Sequence, residues 1–219
     1  PILKSVQAAW DIPLCKKRFE NLLQSANTYE DKARLRAVSS EHASDWLNCV
    51  PLPSMSLKLS RQSLRIAVAL RLGSTICRLH KCHCIDKDTK QPGTVDIKGL
   101  HGLSCASAGG KGRIARRDHA NDLIQRALAS ANYHCILEPT GLLRDNRRPD
   151  GFSLYPYSEG KILAWDYTCR NTLAESYKKH TAEEVGYAAK KGEKDKYDNY
   201  QDLVNENYYV VLIAYETMG

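Results

Sequence analysis

The segment from Cys77 to Cys105 constrains the fold of this chain most, because it has too few apolar residues to form a hydrophobic core. It is rich in cysteine, histidine and glycine and shows no apolar periodicity. A segment of this kind is commonly held together by a bound metal ion. The spacing Cys82-x-Cys84-x16-His101-x3-Cys105 supplies three thiolates and one imidazole, a ligand set typical of tetrahedral structural zinc. The sequence therefore predicts a zinc knuckle.

Two alternatives remain open for these cysteines. Cys77 is a substitute ligand, because the Cys-x-Cys spacing is tighter than the usual spacer of two to four residues. The cysteines could also be reduced structural thiols without a metal. In either case the crowding of cysteine and histidine indicates a reducing compartment rather than a secreted disulfide framework. No apolar run approaches the roughly 18 residues of a membrane span, so we expect a soluble intracellular protein with no membrane segment.

Apolar residues recur at helical spacing before the knuckle, from Leu14 to about Leu72. Thr28, followed by two acidic residues, is a predicted helix start. We expect Trp10 and Trp46 to be buried, as most large aromatic residues are. Because the chain begins without a methionine and stops just after a strand-like run, we expect it to be an excerpt of a longer polypeptide.

After residue 110 the pattern becomes α/β. It predicts a helix over 116–132, a strand over 133–137, a hairpin of 151–155 and 161–169, a long helix over 181–199 and a strand over 208–215. The last run is almost continuously apolar, which is typical of a strand buried on both faces. This order predicts a mixed sheet flanked by helices. We divide the chain into a helical linker (1–76), the zinc knuckle (77–110) and an α/β domain (111–219).

Two aspartates of the predicted hairpin are candidates for a second metal site. Asp150 stands at the head of the first strand and Asp166 lies within the second, so paired strands can bring the two carboxylates together. An aspartate after a proline is most often only a turn residue, whereas an aspartate inside an apolar strand is disfavoured and needs a partner or a metal. Paired carboxylates that hold Mg²⁺ or Mn²⁺ suit metal-assisted cleavage of a phosphodiester.

The charge of the chain favours a polyanionic partner. The formal net charge is +7, with 32 lysines and arginines against 25 acidic residues. The basic residues cluster at 111–117, 144–148 and 190–196. Such clusters attract nucleic acid, although solvated basic surface is an equally simple explanation of charge alone.

Six short motifs resemble the C-terminal part of restriction-like-endonuclease non-LTR retrotransposon proteins, and the resemblance covers nearly the whole chain. The motifs are His101-Gly-Leu-Ser-Cys105, Arg117-Asp-His119-Ala-Asn121-Asp122, Glu138-Pro-Thr-Gly141-Leu, Arg148-Pro-Asp150-Gly151, Trp165-Asp166-Tyr-Thr168-Cys169 and Lys196-Tyr197. The resemblance implies a linker, a zinc knuckle and an endonuclease of the PD-(D/E)xK superfamily. It also implies that Asp150 and Asp166 bind the catalytic metal.

Most members of that superfamily have a catalytic lysine two residues after the second acidic residue. In this chain Thr168 occupies that position. In the retrotransposon branch the lysine lies on the following helix, usually four residues before a tyrosine. If the tyrosine is Tyr197, the residue four positions before it is Glu193 rather than a lysine. We therefore predict the adjacent Lys194 as the catalytic lysine, with Tyr197 beside it. The other lysines that the register allows are Lys191 and Lys196.

The resemblance implies a function in target-primed reverse transcription. The endonuclease would nick target DNA, and a reverse transcriptase in the same parent chain would extend the new 3′ end in the nucleus, with element RNA as a further partner. The alternative is a catalytically inert, zinc-stabilised nucleic-acid-binding module of the same element. The candidate DNA-binding residues in both cases are Arg116, Arg117, His119 and Arg148.

Overall fold

The computed structural model describes residues 6–55, 57–85, 90–105, 107–141 and 148–219. The N-terminal part is helical, as the sequence predicts. Its helices are α1 (Val6–Ser25), α2 (Tyr29–Val38), α3 (Asp45–Asn48) and α4 (Arg61–Leu72), with a 3₁₀ turn at Pro53–Met55.

Local capping interactions define two of these helix ends. The Thr28 hydroxyl accepts a hydrogen bond from Asp31 N–H at 3.0 Å, which satisfies an otherwise free amide at the start of α2. Gly73 ends α4 in the left-handed region at φ 68°. The predicted burial of Trp10 is wrong, because its side chain is 77% exposed on α1. Helical periodicity shows which residues share a face of a helix, but it does not show whether another element covers that face.

The knuckle is a small hairpin followed by one helical turn. Strands β1 (His80–Ile85) and β2 (Pro92–Val95) pair antiparallel, and α5 (His101–Ser104) follows. Asp96 organises the connection, because its carboxylate accepts hydrogen bonds from the backbone N–H groups of Lys98 at 3.0 Å and Leu100 at 2.8 Å.

The C-terminal part has a mixed four-stranded sheet flanked by helices, which confirms the predicted α/β architecture. Its elements are α6 (Ser107–Ser130), β3 (Cys135–Leu137), β4 (Gly151–Ser158), β5 (Lys161–Arg170), α7 (Lys178–Thr181), α8 (Tyr187–Asn199), α9 (Gln201–Asn205) and β6 (Tyr209–Glu216). The strand order is β3-β4-β5-β6, with the first two pairings antiparallel and the last one parallel.

Two predictions for this part are corrected. The helix expected over 181–199 is interrupted, because Gly186 adopts a left-handed φ of 74° and α8 begins only at Tyr187. The strand β6 lies at the edge of the sheet, and its Tyr209 and Tyr215 are 44% and 52% exposed. An apolar run can therefore mark a strand that is covered on only part of its surface.

Alternating residues of β5 face two different helical layers. Ala164 packs with Tyr200 and Leu203 on the side of α8 and α9. Trp165, on the opposite side, donates from Nε1 to Asn121 Oδ1 of α6 at 3.4 Å. Asp166, two residues after Ala164, consequently points toward α8.

Direct contacts join the helical linker, the knuckle and the sheet region. Arg36 Nε donates to the Ala182 carbonyl at 2.7 Å, and the Lys98 ammonium lies 3.3 Å from an Asp31 carboxylate oxygen. Within the described ranges, no helix is long and apolar enough to cross a membrane.

Candidate metal centres

The four predicted zinc ligands form one compact cluster. Cys82, Cys84, His101 and Cys105 each offer a ligand atom, and all four atoms lie within 4.8 Å of one another. The Sγ atoms of Cys82 and Cys105 are 3.6 Å apart, and Cys84 Sγ is 3.2 Å from His101 Nε2. A tetrahedron with metal–sulfur bonds of about 2.3 Å has edges of about 3.8 Å, so this cluster is close to the size that a structural zinc requires.

The hairpin backbone brings these ligands together. Cys82 and Cys84 lie two apart on β1, so both side chains point to the same side of the strand. Gly93 of β2 leaves room for them, because a Cβ atom there would lie 2.5 Å from Cys84 Sγ and 2.8 Å from His101 Cε1. Cys77, the substitute ligand, instead donates its thiol to the Asp96 carbonyl at 3.2 Å.

The thiols of this cluster do not ionise equally. Hydrogen bonds from the Cys84 backbone and side chain lower the pKa of Cys82 to about 6. Burial and the neighbouring thiols Cys82 and Cys105 raise the pKa of Cys84 to about 11. One thiolate is therefore favoured at neutral pH and a second is opposed. A divalent cation supplies the charge that allows several thiols to ionise together, so the cluster could hold a metal ion and is compatible with structural zinc.

The two aspartates of the hairpin lie close together where β4 begins beside the middle of β5. Asp150 lies just before β4, and one of its carboxylate oxygens accepts a hydrogen bond from the Tyr167 N–H at 2.8 Å. Tyr167 follows Asp166 directly on β5. Both carboxylates are almost completely buried, with residue exposures of 5% for Asp150 and 3% for Asp166.

Close packing of the hairpin permits this approach. Gly151, the residue after Asp150, pairs with Trp165, the residue before Asp166. A Cβ atom on Gly151 would lie 2.2 Å from Trp165 Cζ2, so a larger residue could not occupy this position without displacing the indole. The glycine of the Arg148-Pro-Asp150-Gly151 motif is therefore required by packing against the neighbouring strand.

The structure places Lys196 and Tyr200 against Asp166, rather than the predicted Lys194 and Tyr197. The Lys196 ammonium is 2.7 Å from Asp166 Oδ2, and the Tyr200 hydroxyl donates to Asp166 Oδ1 at 3.1 Å. Lys194 is exposed, and Tyr197 is 48% exposed. Residues two apart on a helix are separated by about 200° around its axis, so Lys194 cannot share the inward face with Lys196.

The inward face of α8 also explains Thr168. A Cβ atom on the buried Gly192 would lie 3.2 Å from Thr168 Cγ2, so the helix backbone approaches β5 closely at this point. Gly192, Lys196 and Tyr200 follow one another at intervals of four residues and share one face. The position of the usual strand lysine is thus packed against α8, and a lysine from that helix reaches the second aspartate instead. Lys191, the other alternative, pairs with Asp195 at 2.9 Å.

The environment of Asp166 suits a bound cation. Burial raises its pKa and the charge of Asp150 raises it further, while the hydrogen bond and charge of Lys196 and the Tyr200 hydroxyl oppose these effects. The carboxyl pair therefore resists carrying two negative charges in the dry interior. A cation placed between the two carboxylates would offset that cost.

The four candidate DNA-binding residues have different environments. Arg117 donates to Glu138 at 2.7 Å, and its Nε lies 3.9 Å from Asp150 Oδ1. Arg148 contacts the other Glu138 oxygen at 2.9 Å. Arg116 instead donates to the Leu103 carbonyl at 2.8 Å, which ties α6 to the knuckle. His119 is exposed on α6. The structure thus brings Arg117 to Asp150, pairs Arg148 with Glu138 next to it, and places Arg116 in a structural contact.

Sequence reasoning missed two residues of this site. Tyr200 follows Lys196 by four residues, and this spacing, expected of the lysine and tyrosine, is the signal in the sequence that indicates it. Glu138 belongs to one of the six motifs, and its position directly after a predicted strand is the signal that indicates it. The basic run at 144–147 lies outside the described residues.

Comparison with models of known protein families, with curated proteins and with solved structures finds no match to this chain.

Proposed function

We propose that this chain carries a PD-(D/E)xK-type, metal-dependent DNA endonuclease that nicks target DNA for a non-LTR retrotransposon, with the Cys/His cluster as its structural zinc site. The observation that carries the proposal is the convergence of Asp150, Asp166 and Lys196 where β4 begins beside the middle of β5. The three charged groups come from two paired strands and one helix. Such a set supplies two metal-binding carboxylates and one ammonium group, which phosphodiester hydrolysis can use.

The spacing of Lys196 and Tyr200 supports the resemblance more strongly than the spacing of Lys194 and Tyr197 does. Lys196 and Tyr200 are four residues apart, as the retrotransposon branch has its lysine and tyrosine. Both contact Asp166, so they form one functional group with the second carboxylate. This spacing favours the endonuclease over the alternative of an inert nucleic-acid-binding module.

Each side chain has a distinct role in the proposed reaction. Asp150 and Asp166 would hold Mg²⁺ or Mn²⁺, which lowers the pKa of a bound water and stabilises charge on the phosphate. Lys196 would orient the attacking water and offset the negative charge that develops on the phosphate oxygens. Tyr200 holds the site in shape, because its hydroxyl donates to Asp166 and also lies 2.8 Å from the Arg148 carbonyl.

The wider proposal places the chain in the nucleus with a reverse transcriptase domain in the parent polypeptide and element RNA as a partner. A DNA target is supported by the net charge of +7 and by Arg117 and Arg148 beside the acid pair. Guanidinium groups position a nucleic-acid backbone by contacts to phosphate that do not depend on base sequence.

The test is nicking of supercoiled plasmid DNA with Mg²⁺ or Mn²⁺ by the wild type and by D150N and D166N. We expect the wild type to convert supercoiled DNA to open circles and both variants to lose this activity. Asp118→Asn is the matched control, because Asp118 lies on α6 next to Arg117 but outside the acid pair. Absence of nicking by the wild type, or nicking that survives both substitutions in the acid pair, would contradict the proposal.

A further inference from the structure

A carboxylate that the proposed reaction does not use lies between two arginines at the rim of the acid pair. Glu138 Oε1 accepts from Arg117 at 2.7 Å, and Oε2 is 2.9 Å from an Arg148 nitrogen. The three residues come from α6, from the end of β3 and from the segment before β4. All three side chains are partly exposed, between 39% and 49%. The bridge is therefore accessible from solvent.

The backbone holds Glu138 at this position. Its N–H donates to the Asp150 carbonyl at 2.8 Å, which continues the β3–β4 pairing by one residue beyond Leu137. Its φ of 47° lies in the left-handed region, which residues other than glycine seldom adopt. The carboxylate is thus directed toward the arginines by a local conformation that the surrounding strands maintain.

Glu138 is the carboxylate that the two arginines share. Arg117 also contacts Asp118 and Asp150, whereas the described ion pair of Arg148 is with Glu138. Removing Glu138 would therefore leave both guanidinium groups with one fewer negative partner. Arg117 Nε is buried without a hydrogen-bond partner among the described residues, so this guanidinium retains donor capacity toward the site.

We propose that Glu138 is a positioning residue that occupies the place of a backbone phosphate between Arg117 and Arg148 until a nucleic-acid strand displaces it. Carboxylate and phosphate both accept paired hydrogen bonds from guanidinium groups, so one can replace the other. Ion pairs this exposed are weak, which makes the exchange inexpensive. The inference rests on the proposed function, because the acid pair gives the phosphate a reason to bind here.

The test measures binding of the full chain to a fluorescent DNA duplex in buffer without added Mg²⁺, Mn²⁺ or chelator. We expect E138Q to bind roughly three- to tenfold more tightly than the wild type, with a steeper salt dependence, because no carboxylate competes with phosphate. D118N is the matched control, since Asp118 also contacts Arg117, at 3.4 Å, but does not bridge to Arg148. Its affinity should change much less.

A second pair of variants tests the arginines. Arg117→Gln should weaken DNA binding. Adding E138Q to this variant should restore little of the affinity, because the guanidinium group that E138Q would release is no longer present. Unchanged or weaker binding by E138Q, an equal gain in D118N, or a full gain in the Arg117→Gln background would each overturn the inference. If E138Q does not melt cooperatively, E138D tests the same point, because the shorter side chain cannot bridge both arginines and should also bind DNA more tightly.

This result is separable from the nicking experiment. A chain that nicks DNA through Asp150 and Asp166 but shows no gain in E138Q refutes the role of Glu138 alone. A chain that shows the gain but nicks no DNA keeps a phosphate-binding pair of arginines and loses the proposed catalytic function.

Discussion

The two candidate metal centres differ in how far other protein groups neutralise their negative charge. The Cys/His cluster contains four groups that could hold a metal ion, and burial and the neighbouring thiols raise the pKa of Cys84. At the acid pair, protein groups offset part of the charge, through Lys196 and Tyr200 on Asp166 and through the Tyr167 amide on Asp150. The first arrangement is compatible with a structural metal, and the second is the site to which we assign the proposed catalytic function.

The largest expected effect is loss of the knuckle on removal of its metal. Cys82→Ser and Cys105→Ser should each reduce bound zinc from about one equivalent to well below it, measured by elemental analysis of the purified chain. Hydrogen exchange should then accelerate in β1, β2 and α5 while the four-stranded sheet stays protected. Apparent zinc-binding free energies of about 10–16 kcal/mol in small zinc domains set the scale of the loss.

Cys77→Ser is the matched control for that experiment, because Cys77 is the cysteine next to the cluster that does not join it. It should retain the zinc. Loss of zinc in Cys77→Ser but not in Cys82→Ser would show that the ligand set is different from the one described.

The next effect concerns the lysine that serves the acid pair. Lys196→Ala should lower the nicking rate by about 10²–10³-fold, the usual consequence of removing one group that stabilises transition-state charge. Lys194→Ala removes the same charge from the outer face of α8 and should nick at nearly the wild-type rate. Plasmid nicking measures both variants. A larger loss in Lys194→Ala than in Lys196→Ala would identify Lys194 as the catalytic lysine.

A smaller effect is expected from one glycine of the knuckle. Gly93→Ala adds a methyl group 2.5 Å from Cys84 Sγ, so the ligands must move apart. We expect zinc affinity to fall by about 10–100-fold, the range seen when groups supporting a metal site are disturbed. A competition titration with a coloured chelator measures it. Gly102→Ala is the control, because a Cβ atom there meets nothing within 4 Å, and an equal loss in both would exclude the steric explanation.

Tyr200→Phe tests whether the acid pair is held by protein groups in the absence of metal. Loss of one buried hydroxyl, whose single proton is shared between the Arg148 carbonyl and the Asp166 carboxylate, should cost about 1 kcal/mol or somewhat more. For a chain of this size that lowers Tm by roughly 2–4 °C, which calorimetry can measure. Tyr197→Phe removes an exposed hydroxyl from the same stretch and should leave Tm unchanged. A comparable decrease of Tm in both variants would show that the contact between Tyr200 and Asp166 is not its cause.

The smallest effect is a pH dependence of stability from Asp166. Because burial raises its pKa above the ordinary value of 3.8, the native chain keeps this proton to higher pH than the unfolded chain does. In metal-free buffer the wild type should therefore lose stability relative to Asp166→Asn as pH rises from about 4 through the raised pKa, and then stay level. Denaturant unfolding of both proteins across this range measures the difference. A wild type that gains relative stability instead would mean that Lys196 outweighs burial.

The sequence by itself determined the features that depend on local spacing. The Cys/His cluster of one short hairpin and the helical turn after it, the helix start at Thr28 and the two aspartates of the second hairpin all follow from local spacing. These patterns are reliable because alternation along a strand and capping at a helix end act over a few residues.

Only the tertiary structure decided which groups complete the acid site. A shift of one residue turns a helix by about 100°, so the choice between Lys194 and Lys196 depends on how α8 packs against β5 at Gly192. The bridge from Glu138 to Arg117 and Arg148 joins three separate segments, and no spacing in the sequence encodes it. Such contacts are set by the rotation and approach of whole elements, which local patterns do not specify.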